Sequence, residues 1–346
     1  MRGIYREWRN YYLILLGLTG LLILSLLISL GFGSVYLELD TIWRIVWYKL
    51  TGIQVGEWSL ASERIVWMIR APRIIFTVLV GAGLAVVGAV MQAVVRNRMA
   101  DPYLLGLTSG ASTGASVVIL LGLSALLGEW ALSMGAFLGA LLAFFMVFLF
   151  SRANGRMTAG NLILAGIAIS YLFSSITGLL TYMAKEHELR EVTVWLLGSV
   201  AGGKWNNILL PSIVVPAGFV YLFFQSRKLN AISMGEETSV SLGLDSSRFR
   251  KQIFLVTSAM VGVLVALSGS IGFVGLMIPH FIRLFIGNDH KKLLPLCLVA
   301  GGLFLVWADV IARTILSPME LPIGIITSMC GAPFFIWLLQ KKGGSL

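Results

Sequence analysis

Between Arg73 and Arg96 the chain runs for 22 residues, Ile74 to Val95, without a charged side chain. A helix rises about 1.5 Å per residue and needs roughly 20 apolar residues to cross the hydrocarbon core of a bilayer. The run therefore predicts a transmembrane helix. Arg70-Ala-Pro-Arg73 stands at one end of it and the basic turn Arg96-Asn97-Arg98 at the other. Similar apolar runs predict ten spans, at about 11–33, 74–95, 103–127, 131–151, 157–184, 205–225, 252–272, 273–286, 293–312 and 321–340. The first is too long for a cleaved signal peptide, and no small-residue cleavage site follows it. The eighth is too short to span alone and contains Pro279, His280 and Arg283. Neighbouring helices must shield it, because polar backbone exposed to lipid is costly.

Local signals refine this frame. Gly106, Gly110 and Gly114 repeat every four residues and predict a tight packing seam. Asp101 suits the N-cap of that span and Pro102 its first turn. The longest inner connection, 225–251, is more than a linker. Ser233-Met234-Gly235-Glu236 fits a capping box, and Gly243 is a natural stop for the helix that would follow. Asp245 or Ser246 can start another. Two short helices are thus expected outside the membrane, with Glu236 and Glu237 exposed. They form either a solvated surface loop or a lever for a cytoplasmic partner.

Composition agrees with a membrane protein. The chain is 58% hydrophobic and 12% charged, against roughly 25% charged in soluble domains. Its 38 glycines suit close helix packing. The two cysteines, Cys297 and Cys330, lie in apolar runs and read as small core residues. The net charge of +10 does not indicate nucleic-acid binding. With the N-terminus inside, 17 of the 26 Lys and Arg fall on the inner side, which makes both termini cytoplasmic. Nine fall outside, and five of those cluster between Arg44 and Arg73 beside Trp43, Trp47, Trp58 and Trp67. That cluster breaks the positive-inside pattern and suggests a separate outer role.

Candidate chemistry is sparse. Asp309 and Arg313 stand four residues apart with the acid first, the favourable order for a helical ion pair. Arg313 is read as holding Asp309 ionised near the outer interface. A proton carrier would use such an Asp, but no second acid lies in a span to extend a relay. Gly198 to Lys204 fits a phosphate-loop spacing, yet Trp205 replaces the required Ser or Thr and no strand precedes it. His187, His280 and His290 are scattered without a ligand pattern, so no metal site is assigned. His280 reads as buried and hydrogen-bonded. No catalytic residue is assigned either. On these residues two classes come into view: an ion-coupled secondary transporter and a membrane-embedded enzyme. The last lacks any visible nucleophile or metal cluster.

From about Arg70 to Lys341 the chain resembles the FecCD-type permeases of ATP-driven importers for iron-siderophores, haem and vitamin B12. The resemblance rests on several segments in order: Arg70-Ala-Pro-Arg73; Gly88-Ala-Val-Met-Gln92 with Asn97 and Ala100-Asp101-Pro102; Leu104-Leu-Gly-Leu-Thr-Ser-Gly110; Leu164-Ala-Gly166; and Trp195-Leu-Leu-Gly198. Gly235-Glu-Glu-Thr-Ser-Val-Ser-Leu-Gly243, Gly272-Phe-Val-Gly-Leu-Met-Ile-Pro-His280, Glu320-Leu-Pro-Ile-Gly324 and Gly331-Ala-Pro333 complete the set. The first 60 residues carry almost no such signal.

The resemblance implies an all-α polytopic fold of about ten helices and one permease domain over 1–346, with an extracytoplasmic helix and linker at 185–204. It implies a dimer of permease subunits in a bacterial or archaeal cytoplasmic membrane. Two separate ATPase chains would bind ATP-Mg inside, so no cofactor is expected in this chain. A substrate-binding protein would dock outside. By the same resemblance, Arg70, Arg73 and Arg313 match its docking positions. Ser233, Gly235, Glu236, Glu237, Ser239 and Gly243 belong to the helix that couples to the ATPase. Asn97, Met99, Met157, Thr158, Ala159 and Gly160 belong to cytoplasmic gate turns. There Asn97, Met99, Met157 and Thr158 would face the path, while Ala159 and Gly160 would allow close approach. The fifth span would line the path with Ser170, Ser174, Ser175, Thr177 and Thr181. The implied cargo is an iron chelate, siderophore or haem, with vitamin B12 as the alternative.

Overall fold

The computed structural model describes residues 2–33, 35, 37–101, 106–128, 130–153 and 156–342. In chain order its elements are α1 (Arg2–Ser29), α2 (Leu39–Thr51), α3 (Leu60–Arg64), a π-helical turn (Ile65–Arg70) and α4 (Ala71–Val95). Then come α5 (Leu107–Leu120), α6 (Leu123–Leu127), α7 (Ala131–Phe150), the paired dipeptides β1 (Arg152–Ala153) and β2 (Arg156–Met157), and α8 (Ala159–Met183). The chain continues through α9 (Glu186–Leu196), α10 (Trp205–Phe224), α11 (Ser226–Met234), α12 (Glu236–Ser241) and α13 (Ser246–Ser268). It ends with α14 (Val274–Ile286), α15 (His290–Thr314) and α16 (Ile323–Lys342).

Among the described residues, seven helices are long and apolar enough to cross a bilayer, and the apolar stretches of α5, α14 and α16 add three shorter ones. These correspond to the ten runs of the sequence. The differences lie at helix ends. The third span starts at Leu107 after Gly106, whose left-handed φ of 77° suits a residue without a Cβ. Pro102, assigned to its first turn, lies outside the described residues.

The helix α4 is the axis of the bundle. In its most apolar window 83% of residues are buried, against 11% for α1. Lipid gives helices no hydrophobic drive to associate, so contact depends on close backbone approach. Glycines supply it. A Cβ at Gly81 would overlap the Gly301 carbonyl of α15, and one at Gly88 would overlap the Gly275 carbonyl of α14. The seam read from the glycine repeat is present: Gly110 and Gly114 of α5 face Gly139 and Gly135 of α7. The short α14 packs against α4, α15 and α16. Its Pro279 and His280 are buried, with His280 edge-on to Phe335. Cys297 is buried as expected, whereas Cys330 of α16 is exposed. An apolar run does not determine which face of a helix meets its neighbours.

Before α4, α2 buries Ile42 and Ile45 and exposes Trp43 and Trp47 one turn apart, an arrangement suited to an interfacial helix. The seam gives a direct test. Gly114→Val should destabilise the protein by about 1–3 kcal/mol through overpacking. Gly20→Val, where the added Cβ meets open space, should change nothing. Thermal unfolding of both purified variants in detergent checks this.

Candidate functional site

The site residues expected from the sequence fall, among the described residues, in an outer cluster, an inner hub and α8.

The outer cluster forms where the C-terminal end of α1 meets α4 and α15. The Arg73 Nε–H and Nη2–H groups donate to Asp309 Oδ1 at 3.0 and 2.8 Å. Its Nη1–H donates to both Glu320 oxygens at 3.0 and 2.8 Å. Arg313 Nε lies 3.3 Å from Asp309 Oδ2, the i,i+4 pair anticipated from the spacing. Its Nη1–H and Nη2–H donate to the carbonyls of Phe32 and Ser29, both at 3.1 Å. Arg70 donates to the carbonyls of Leu30 at 2.6 Å and Gly31 at 3.2 Å, and also to that of Val35. Two arginines thus donate to the Ser29 carbonyl at the end of α1 and to the carbonyls of the segment that follows it.

These guanidiniums do not form the exposed cationic surface expected of Arg70, Arg73 and Arg313. All three are buried. Each is taken up by carbonyls and carboxylates of its own subunit, because a buried charge is costly unless paired. The exposed end of the cluster is instead the Glu320 carboxylate. The partnership of Arg73 with Asp309 and Glu320 spans 236 and 247 residues, and no local pattern signals it.

The inner hub is built around the first turn of α13. Asp245 caps it, its Oδ1 accepting from the Arg248 N–H at 2.9 Å. Asp245 therefore starts a membrane span and not a second surface helix; the two short surface helices are α11 and α12. The capping box at Ser233 does not form. Ser233 belongs to α11 and donates to the Asn230 carbonyl at 2.7 Å, while Gly235 separates the two helices. Gly243 does end α12: its N–H donates to Val240 and that of Leu244 to Ser239, at 2.8 and 2.9 Å, with left-handed φ of 78° at Gly243. Within α12, Glu236 and Glu237 are exposed as expected, but Ser239 is fully buried. Its Oγ shares a hydrogen bond with Ser246 Oγ at 2.7 Å.

The two turns expected to form a gate flank this hub. Asn97 and Met99 are exposed, and Asn97 Oδ1 accepts from the Met99 N–H at 2.8 Å. Thr158 N-caps α8 by accepting from the Asn161 N–H at 3.2 Å. Ala159 is half-buried and Gly160 exposed. Met157 contradicts the expectation that it faces the path. It is fully buried, with its N–H donating to Ser247 Oγ at 3.0 Å. Sequence reasoning missed Ser247 and the buried Arg250, since serine and arginine near a helix start look like surface residues.

On α8, the expected hydroxyl lining is only partly present. Thr177 is buried and shares a 2.8 Å hydrogen bond with Thr113 of α5. Thr181 donates to the Thr177 carbonyl of its own helix at 2.7 Å, and the Ser170 Oγ is buried. Ser174 and Ser175 are exposed, on one face with Tyr171 and Tyr182. The two tyrosines are 73% and 89% exposed, so the open face is aromatic as much as hydroxylic. Their spacing, three helical turns, was the available signal.

Two outcomes follow. Asp309→Asn leaves Arg73 and Arg313 short of their buried countercharge. It should cost about 3–5 kcal/mol, read as a fall in thermal stability, whereas Glu320→Gln, at the exposed end, should cost less. A cysteine replacing Val240 or Leu242, both exposed, should react rapidly with a water-soluble maleimide. One replacing Ser239 should react slowly.

The FecCD transport family model matches residues 21–341. The match reaches further toward the N-terminus than the motifs do. The chain is 40% identical over 331 residues to the vitamin B12 import system permease protein BtuC of Klebsiella pneumoniae, covering 95% of this chain and 94% of that one. It is 36% identical to the hemin transport system permease protein HmuU of Yersinia pestis, covering 93% and 94%. A solved chain described as a metal-chelate type ABC transporter in an inward-facing conformation superposes with a TM-score of 0.82 at 33% identity, covering 95% of this chain and 99% of that one. A family-model match over residues 21–341 and similarity over nearly the whole length make this chain, with its apolar helices packed about α4, a member of the FecCD transport family.

Proposed function

We propose that the chain is the membrane-spanning permease subunit of an ATP-driven importer that moves a bulky metal chelate inward by alternating access. The observation that carries this reading is end-to-end similarity to permeases named for two different metal macrocycles. The preference for an iron chelate over vitamin B12 has no more support than its alternative, so the cargo class is a haem, a siderophore complex or a corrinoid. Two copies, or this chain and a related one, would enclose the path. The exposed tyrosines of α8 suit weak sliding contact with a large ring system. The α12 surface bearing Glu237, Val240 and Leu242 would seat in an ATPase chain that binds ATP-Mg. A binding protein would dock outside, over the loops that cover Arg70, Arg73 and Arg313.

An ion-coupled secondary transporter is disfavoured by the state of Asp309, which two guanidiniums hold. The test is reconstitution in liposomes with the ATPase and binding protein. ATP-dependent uptake of cyanocobalamin or hemin is expected. Uptake by this chain alone, driven by a proton or sodium gradient, would overturn the reading.

A further inference from the structure

Arg250 heads the largest fully buried side chains of the protein. It lies one turn inside α13, and its guanidinium reaches three separate elements. Nη1–H and Nη2–H donate to Glu236 Oε1 and Oε2 of α12 at 3.2 and 3.3 Å. Nη1–H also donates to the Met157 carbonyl at 3.3 Å, just ahead of α8. Nε–H donates to the Val94 carbonyl at 3.5 Å, in the last turn of α4. That carbonyl is among those a helix end leaves without an intrahelical donor. The gate turns begin at these places, Asn97 after α4 and Met157 before α8. Met157 is gripped from both sides by one turn of α13, its N–H by Ser247 and its carbonyl by Arg250.

We propose that Arg250 is a positioning residue that carries displacement of α12 to both inner gate turns at once, through its pairing with Glu236. This rests on the importer reading above. The planar guanidinium presents several donors in fixed directions, so a shift of the Glu236 carboxylate drags or releases both carbonyls together. A lysine has one ammonium and cannot hold the carboxylate and two divergent carbonyls in that geometry. The Glu236 side chain is 48% exposed, so α12 can respond to a partner while Arg250 stays dry.

The informative variant is Glu236→Gln, which removes the charge pair and leaves Arg250 bonded to both carbonyls. In the permease alone, in nanodiscs, amide hydrogen exchange over 94–99 and 157–162 should quicken about fivefold or more. Wild-type exchange there would overturn the proposal without touching the importer reading. In the complex with ATPase and binding protein, Glu236→Gln and Arg250→Met should each lower cargo moved per ATP about fivefold or more. The double variant should be no worse than either, and Arg250→Lys should recover part of the loss. Wild-type yield in Glu236→Gln, or additive losses in the double variant, would overturn the proposal. A wild-type complex that moves no cargo with ATP would overturn the importer reading as well.

Discussion

A carbonyl at the end of a helix has no intrahelical donor, and inside a membrane protein water is not there to replace one. In this fold guanidiniums bond carbonyls at helix ends and in the segments beside them. Arg70 and Arg313 bond carbonyls at and just beyond the end of α1. Arg250 bonds those of Val94 and Met157. Arg283, half-buried, adds a donor to the Ala89 carbonyl inside α4 and bonds the Gln92 side chain. Each arginine joins elements far apart in sequence, so the same contacts that satisfy the backbone also set where helices end and turn. Arginine suits this role because it stays charged and presents donors in a planar fork.

The arginines act at the two ends of a common rod. Helix α4 carries Arg73 at its outer end and Val94 at its inner end, with glycine contacts to α15 and α14 between them. Such contacts leave little slack, because the packed backbones cannot approach further or separate without losing the whole seam. The outer charge cluster and the inner hub are therefore tied to one stiff element. At the periphery, α8 and α12 expose large side chains that no neighbour in this subunit covers.

The polar groups of α8 show how one pattern separates into different roles. Thr177 joins α5 through Thr113 and Thr181 bonds its own helix, so neither presents a hydroxyl outward. Ser174 and Ser175 remain on the exposed face with Tyr171 and Tyr182. A helix with hydroxyls on several faces uses those that meet a neighbour for packing and leaves the rest for whatever the open face contacts.

The spans, the short eighth helix, the glycine seam and the stop at Gly243 were legible in the sequence because each depends on local physics. Apolar length, four-residue spacing and left-handed backbone are properties of neighbouring residues. The Asp309–Arg313 pair was legible for the same reason. The fates of Arg70, Arg73 and Met157 were not. Charge placement against the positive-inside pattern marked the two arginines as special, but burial by α1 and pairing with Glu320 depend on contacts across the chain. Met157 reads as facing the path until α13 folds against it. The capping box at Ser233 lost to a longer α11 because Gly235 breaks the helix one residue before Glu236. Periodicity determined which segments cross the membrane; only tertiary packing decided which face of each helix is buried and which buried charge meets which carbonyl.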